Sequence, residues 1–221
     1  MPITALLDAD LFPKTVTHKL EIVPHSGWWA NTRLTLGVWT PVRRSLSGKS
    51  QEESDAIYND LRQVAGLTKN GCVDAYESDE TFFESLYLKP PGLRGTPFEM
   101  FRGVERKRVR SPLRRTYLIE SSFSDEDAKF LQKQHKDRWN QLLENIQHPR
   151  FLKMKKRTGG HHLADLYHVW TAEENSLDCF ITLDTTFLNA VTLWKPKPLD
   201  TPVRILTPRQ FLQWISATRR A

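Results

Sequence analysis

Two rhythms of apolar residues alternate along this chain. Ile3 to Leu7 is a five-residue apolar run, and Cys72 to Tyr76, the apolar positions up to Leu183, and Val203 to Leu206 repeat the type; each predicts a short buried strand. Between them apolar residues recur at spacings of three and four, the mark of helices. Ser50 with Glu53 opens one helix, with a stripe at Ala56, Ile57, Leu61, Val64 and Ala65 and a stop at Gly66. Ser78 caps a second, which Pro90-Pro91-Gly92 ends. Ser124 caps a long third helix, striped by Leu131, His135, Trp139, Leu142, Leu143 and Ile146 and stopped before Pro149. A basic loop at Lys153 to Arg157 with Gly159-Gly160 then leads to a helix containing Asp165. Thr207-Pro208-Arg209-Gln210 starts the last helix, with Phe211, Leu212, Trp214 and Ile215 turned inward. Strands alternating with helices predict an α/β protein, a three-layer α/β/α fold with a mostly parallel central sheet.

Two stretches break the alternation. From His18 to Thr40, Leu20, Ile22, Leu34, Leu36 and Val38 alternate with polar residues around a turn-like Pro24-His25-Ser26-Gly27, predicting a hairpin inserted at 18–41. It carries Trp28, Trp29 and Trp39, which either stack on bases or a partner or cover a small satellite core. The second insertion, 93–122, holds a basic run and then an edge strand at Tyr117-Leu118-Ile119.

At 221 residues with 39% hydrophobic and 26% charged, the chain is long enough for one domain with a proper core. Its net charge of +6 is unevenly placed: Arg102 to Arg115 alone holds seven basic residues and one acidic. Such a patch suits a polyanion. Arg106, Lys107, Arg108, Arg110, Arg114 and Arg115 are the candidate polyanion contacts there, joined by Lys155, Lys156 and Arg157. Cys72 and Cys179 are too few and too distant for a disulfide framework and are expected as reduced core residues. With no apolar run of about 20 residues and no leader-like start, the expectation is a cytoplasmic protein that does not engage a membrane.

The chemistry is expected from acids. Asp8 follows one strand and Asp184 another, and in parallel sheets ligands bind beyond the carboxyl ends of the strands. Asp165 can join them from the preceding helix; Glu80 and Glu84, one turn apart on the second, either supply a further acid or are solvated surface residues. Converging carboxylates repel one another unless a cation neutralises them, and an all-oxygen set suits Mg2+ or Mn2+. His162, Asp165 and His168 recur every three residues, yet the two histidines stand about 600° apart along a helix and share no face. Contact with phosphate by His161 or His162 and plain packing therefore remain beside a histidine metal site. Asp10 is either an additional or supporting acid or a turn residue.

LLDAD at Leu6 to Asp10, ADLYH at Ala164 to His168, FITLDTTFL at Phe180 to Leu188 and VRILTPRQFLQWI at Val203 to Ile215 resemble, in order, the signatures of PIN domains. These are metal-dependent nucleases of α/β/α build, many of them toxins of toxin–antitoxin pairs. The resemblance implies that Asp8, Glu84, Asp165 and Asp184 hold the metal and carry catalysis, with Glu80 as second choice for the glutamate. Thr182 and Asp10 would stand behind them. It further implies Mg2+- or Mn2+-dependent cleavage of RNA, a small antitoxin partner and a homodimer, with an inactive RNA- or protein-binding scaffold as the alternative.

Overall fold

The computed structural model describes residues 1–15, 17–29, 32–43, 45–87, 100, 101, 103–113, 125–192 and 198–219. Its core is a five-stranded sheet built from β1 (Ile3–Leu7), β4 (Val73–Glu77), β5 (Lys107–Arg108), β6 (Cys179–Ile181) and β7 (Arg204–Leu206). The order is β5-β4-β1-β6-β7, and every pairing is parallel. β1 lies in the middle, with Ala5, Leu6 and Leu7 buried between the two faces.

Strand alternation divides the core into two faces. Leu6, Phe180 and Ile205 lie side by side in the register and point to one face. There they meet Trp139 and Leu143 of α3 (Asp125–Asn145), Phe151 and Met154 of α4 (Pro149–Arg157), Tyr167 and Trp170 of α5 (Leu163–Glu174), and Phe187 and Val191 of α6 (Thr185–Thr192). Their neighbours Ala5, Leu7, Cys179 and Ile181 point the other way, onto Tyr58, Leu61 and Val64 of α1 (Gln51–Lys69) and Phe211 and Ile215 of α7 (Pro208–Thr218). The fold is a three-layer α/β/α sandwich. Both capping boxes form, Ser50 with Glu53 and Thr207 with Gln210. α2 (Asp79–Tyr87) follows β4 at once, with reciprocal bonds between Ser78 and Thr81.

Several elements depart from the pattern. α1 runs through Gly66 to Lys69, because the extra turn seats Leu67 against the core; Gly71, at φ +68°, makes the exit. Pro149 begins α4 rather than ending α3's neighbourhood in a loop, so Lys153 to Arg157 is helical. A proline at the first helical position forfeits no hydrogen bond, and Phe151 and Met154 bury one face. The hairpin is present as β2 (His18–Trp29) and β3 (Thr32–Arg43), a separate antiparallel pair. Its register runs from His18 opposite Arg43 to Trp29 opposite Thr32; Pro24 sits within β2 opposite Gly37, tolerable in a two-stranded sheet where its missing N–H can face an open edge. The side chains of Trp28, Trp29 and Trp39, the strand expected at Tyr117-Leu118-Ile119 and the Ser124 cap lie outside what the structure describes.

The basic run has a structural use. Lys107 and Arg108 form the edge strand β5 beside Tyr76 and Glu77. Arg106 Nη1 lies 2.7 Å from Glu77 Oε2 as an ion pair without aligned hydrogen-bond geometry, and its guanidinium covers the Phe12 ring. Lys107 pairs with Asp74 at 2.8 Å, and Arg108 with Asp79 at 2.8 Å and Glu77 at 3.3 Å. Glu77 is only 5% exposed, so these cations compensate a buried acid. Cys72 and Cys179 form no disulfide, and burial pushes the Cys179 thiol up. Among the described residues no helix is long and apolar enough to cross a membrane.

Phe180 is fully buried at the centre of the first face. Phe180→Ala is expected to cost about 3–5 kcal/mol in denaturant unfolding, against about 1 kcal/mol for removing the α7 cap by Thr207→Ala. A Phe180 cost no larger than the cap's would contradict this packing.

Candidate metal centre

The chain leaves β1 toward the α1 face and leaves β6 toward the α6 face, so the sheet's connections part between these neighbouring strands. A crevice opens at such a point beyond the carboxyl ends. Asp8 is the residue after β1, and Asp184 stands three residues beyond β6.

Thr182 joins the two. Fully buried, its hydroxyl donates to Asp8 Oδ2 at 2.5 Å and accepts from the Asp184 amide at 3.0 Å. The Asp8 amide in turn donates to the Ile181 carbonyl at 3.0 Å, continuing the β1–β6 ladder to the rim. Asp184 is less anomalous than its strand-end position suggests. It is half-buried and caps α6, its Oδ1 accepting from the Phe187 amide at 2.9 Å and the Thr186 hydroxyl at 2.5 Å.

Asp165 enters from the first turn of α5. His162, the residue that caps this helix, has its backbone in the left-handed region at φ 56° and its Nδ1 3.7 Å from Asp165 Oδ2. One ligand atom each from His162, Asp165 and Asp184 lie within 4.8 Å of one another. The Asp165 side chain is 20% exposed, and among the described residues no donor hydrogen-bonds its carboxylate.

The two glutamates of α2 separate clearly. Glu80 is buried and committed to the fold, accepting from the Ser111 hydroxyl and, at 3.4 Å, from the Tyr167 hydroxyl. Glu84 instead meets His168 of α5, Oε2 to Nε2 at 3.0 Å, and acts electrostatically on Asp8 and Asp165. His168 is the residue that the spacing argument passed over. It and His162 need not share a face, because His162 meets the acids at the helix start while His168 meets Glu84 from within the core. The usable signal was the Asp165-to-His168 interval, one helical turn, with an acid-bearing helix elsewhere to receive the imidazole.

Burial and, after it, charge repulsion shift the protonation of these groups. Burial, then the charges of Asp10 and Glu84, raise Asp8 from 3.8 to about 6 against the opposing pull of His168 and Thr182. Burial, then Asp8, Asp184 and Glu84, raise Asp165 to about 7, with His168 opposing. Burial pulls His168 down, but pairing with Glu84 and the charges of Asp8 and Asp165 outweigh it and raise the imidazole to about 9. For Asp184 burial acts upward, yet the bonds from Thr186 and Phe187 prevail and lower it.

Asp10 lies in the short 3-10 helix that follows β1, pairs with Lys14 at 3.4 Å and donates its amide to Asp8 Oδ1 at 3.4 Å, so it stands behind that acid. Arg106, Lys107 and Arg108 are matched by acids of the fold. Lys155 donates to the Glu144 carbonyl at 2.7 Å. Arg110 and Lys156 are exposed, and Arg157 is half-buried with Nη2 lacking a hydrogen-bond partner among the described residues. Arg114 and Arg115 lie outside the described residues.

Compared with known protein families, with curated proteins and with solved structures, the chain matches none. What stands is the class of architecture: an α/β/α sandwich with carboxylates and an imidazole gathered at its switch point.

These titrations set a pH dependence. The raised Asp8 and Asp165 contribute stability that is complete below 3.8 and lost as pH rises through about 6 and 7. The raised His168 contributes stability complete below 6.5 and lost as pH rises through about 9. Asp184 has the opposite sign, and its contribution disappears only as pH falls below 3.8. The chain without divalent ions should therefore melt several degrees lower at about pH 8.5 than at about pH 5.5, and Asp165→Asn should shrink that difference. An identical pH slope in wild type and variant, followed by calorimetry in chelator, would contradict the clustering.

Proposed function

We propose that this chain is a divalent-metal-dependent nuclease of the PIN type that cleaves RNA. The observation that carries the reading is Asp165: a largely buried carboxylate with no hydrogen-bond donor among the described residues, faced by Asp8, Asp184 and Glu84. Such a group calls for a cation. Part of the donor set fits one: ligand atoms of Asp165 and Asp184 already lie within 4.8 Å of one another together with His162, while Asp8 and Glu84 stand outside that group. Asp8, Asp165, Asp184 and Glu84 would hold Mg2+ or Mn2+, which when bound polarises a phosphate oxygen and acidifies water for in-line attack.

The chain's own residues do the rest. Thr182 fixes the Asp8 carboxylate and ties it to the loop bearing Asp184, so both acids keep one orientation. Because Asp184 spends Oδ1 on capping α6, its Oδ2 is the oxygen left for the crevice. His168 holds Glu84 and supplies a positive charge among the acids. Arg110, Lys156 and Arg157 have no ion pair among the described residues and are the candidates for the RNA backbone, while Arg106 to Arg108 position the edge strand. The proposed setting is the cytoplasm, in keeping with two cysteines that form no disulfide. A small antitoxin and a second copy of the chain are partners within the same proposal.

Asp184→Asn removes charge while keeping a good helix cap. It should lower Mn2+- or Mg2+-dependent RNA cleavage by about 100-fold or more with only a small fall in melting temperature; unchanged cleavage places catalysis elsewhere. The pairing of Glu84 with His168 favours a second reading, a nuclease-like scaffold that binds without cutting. Salt-sensitive RNA binding by wild type with no turnover in either ion would select it.

A further inference from the structure

His162 stands outside the acidic set, yet its ring nitrogen is among the ligand atoms that lie within 4.8 Å of one another. We propose that His162 is a nitrogen ligand of the centre, so that with Asp165 and Asp184 it selects a first-row transition ion such as Mn2+ over Mg2+. The inference rests on the metal-binding half of the function proposed above and not on cleavage. Three observations carry it. The imidazole is aimed at the acids, with Nδ1 3.7 Å from Asp165 Oδ2, a separation too long for a hydrogen bond between them and open to an ion between the two groups. Its other contact is the Phe187 ring, centroids 5.6 Å apart, which holds the imidazole beside the first turn of α6, the turn that Asp184 caps. The facing carboxylate of Asp165 has no hydrogen-bond donor of its own among the described residues, so the nitrogen and the oxygen converge on a position that no described residue fills.

The ligand chemistry decides the ion. Mg2+ prefers oxygen, dehydrates reluctantly and keeps several waters, so an imidazole adds little to its affinity. First-row transition ions accept imidazole nitrogen, Zn2+, Fe2+ and Ni2+ most readily and Mn2+ less strongly. A histidine with two aspartates is therefore a set on which transition ions and Mg2+ part company.

The test uses untagged full-length protein with Mn2+ as the probe, its affinity measured by electron paramagnetic resonance with and without competing Mg2+, and nitrogen ligation by pulsed detection of 14N coupling. Wild type should bind Mn2+ with a 14N coupling and prefer it to Mg2+. His162→Gly accepts the left-handed backbone freely; it should lose the coupling and about 10-fold or more in Mn2+ affinity, with Mg2+ affinity nearly unchanged. His162→Asn, also at ease in that conformation, should behave alike, and His161→Ala should keep the coupling. Mn2+ binding that is lost in Asp165→Asn but shows no nitrogen coupling in wild type would overturn this inference and leave the carboxylate site standing. Nitrogen-coupled Mn2+ in a protein that cuts no RNA would uphold it while defeating the nuclease reading. No Mn2+ binding at all would overturn both.

Discussion

The Thr182 hydroxyl is the smallest group on which the candidate centre depends. It donates to Asp8 and accepts from the Asp184 amide, so one side chain fixes the ends of two neighbouring strands. The bond is possible because β1 and β6 are parallel and adjacent, with Leu7 beside Ile181, which delivers both chain ends to the same rim. That pairing is itself a product of packing. Leu6 and Phe180 must fill one face while Leu7 and Ile181 fill the other, and a slip of one residue would turn both pairs to the wrong side.

The same packing makes the centre costly. Helix α5 is buried along most of its length, from Leu166 to Ala172, and this burial carries Asp165 at its start and His168 at its middle into contact with other charges. The fold answers with different devices at different acids. Glu77 is matched by Arg106 and Arg108, Glu80 by hydroxyls, Glu84 by His168, and Asp184 by the helix it caps. Asp8 has Thr182. Asp165 alone of this group has, among the described residues, neither a hydrogen bond to its carboxylate nor an arginine beside it, and structural sites that break a local rule in this way are where function is sought.

Much of the architecture was legible because it follows from local rules. Ile3 to Leu7 could only be a central strand, and the Ser50 and Thr207 capping boxes marked helix starts that form as expected. The failures came where packing overrode a local signal. Gly66 reads as a stop until Leu67 finds the core beyond it, and the long helix does stop before Pro149, but Pro149 also opens α4, so Lys153 to Arg157, which reads as a loop, is helical. Pro24 to Gly27 reads as a turn, yet the strand continues through it. The basic run was legible as charge but not as structure, since its partners Asp74, Glu77 and Asp79 lie about thirty residues upstream and meet it only once β5 has joined β4. At the centre, the strand-end and helix aspartates could be picked out from position alone. The choice of Glu84 over Glu80, and the parts of His162 and His168, could not, because each depends on what a neighbouring helix presents.

The central claim is that Asp165, Asp184 and the acids around them form a divalent-cation site. The most direct measurement is anomalous diffraction from crystals grown with Mn2+. The account predicts a single strong peak within bonding distance of Asp165 and Asp184, at the β1–β6 rim. Density for ordered Asp165 and Asp184 carboxylates with no Mn2+ peak between them, at saturating metal, would contradict it.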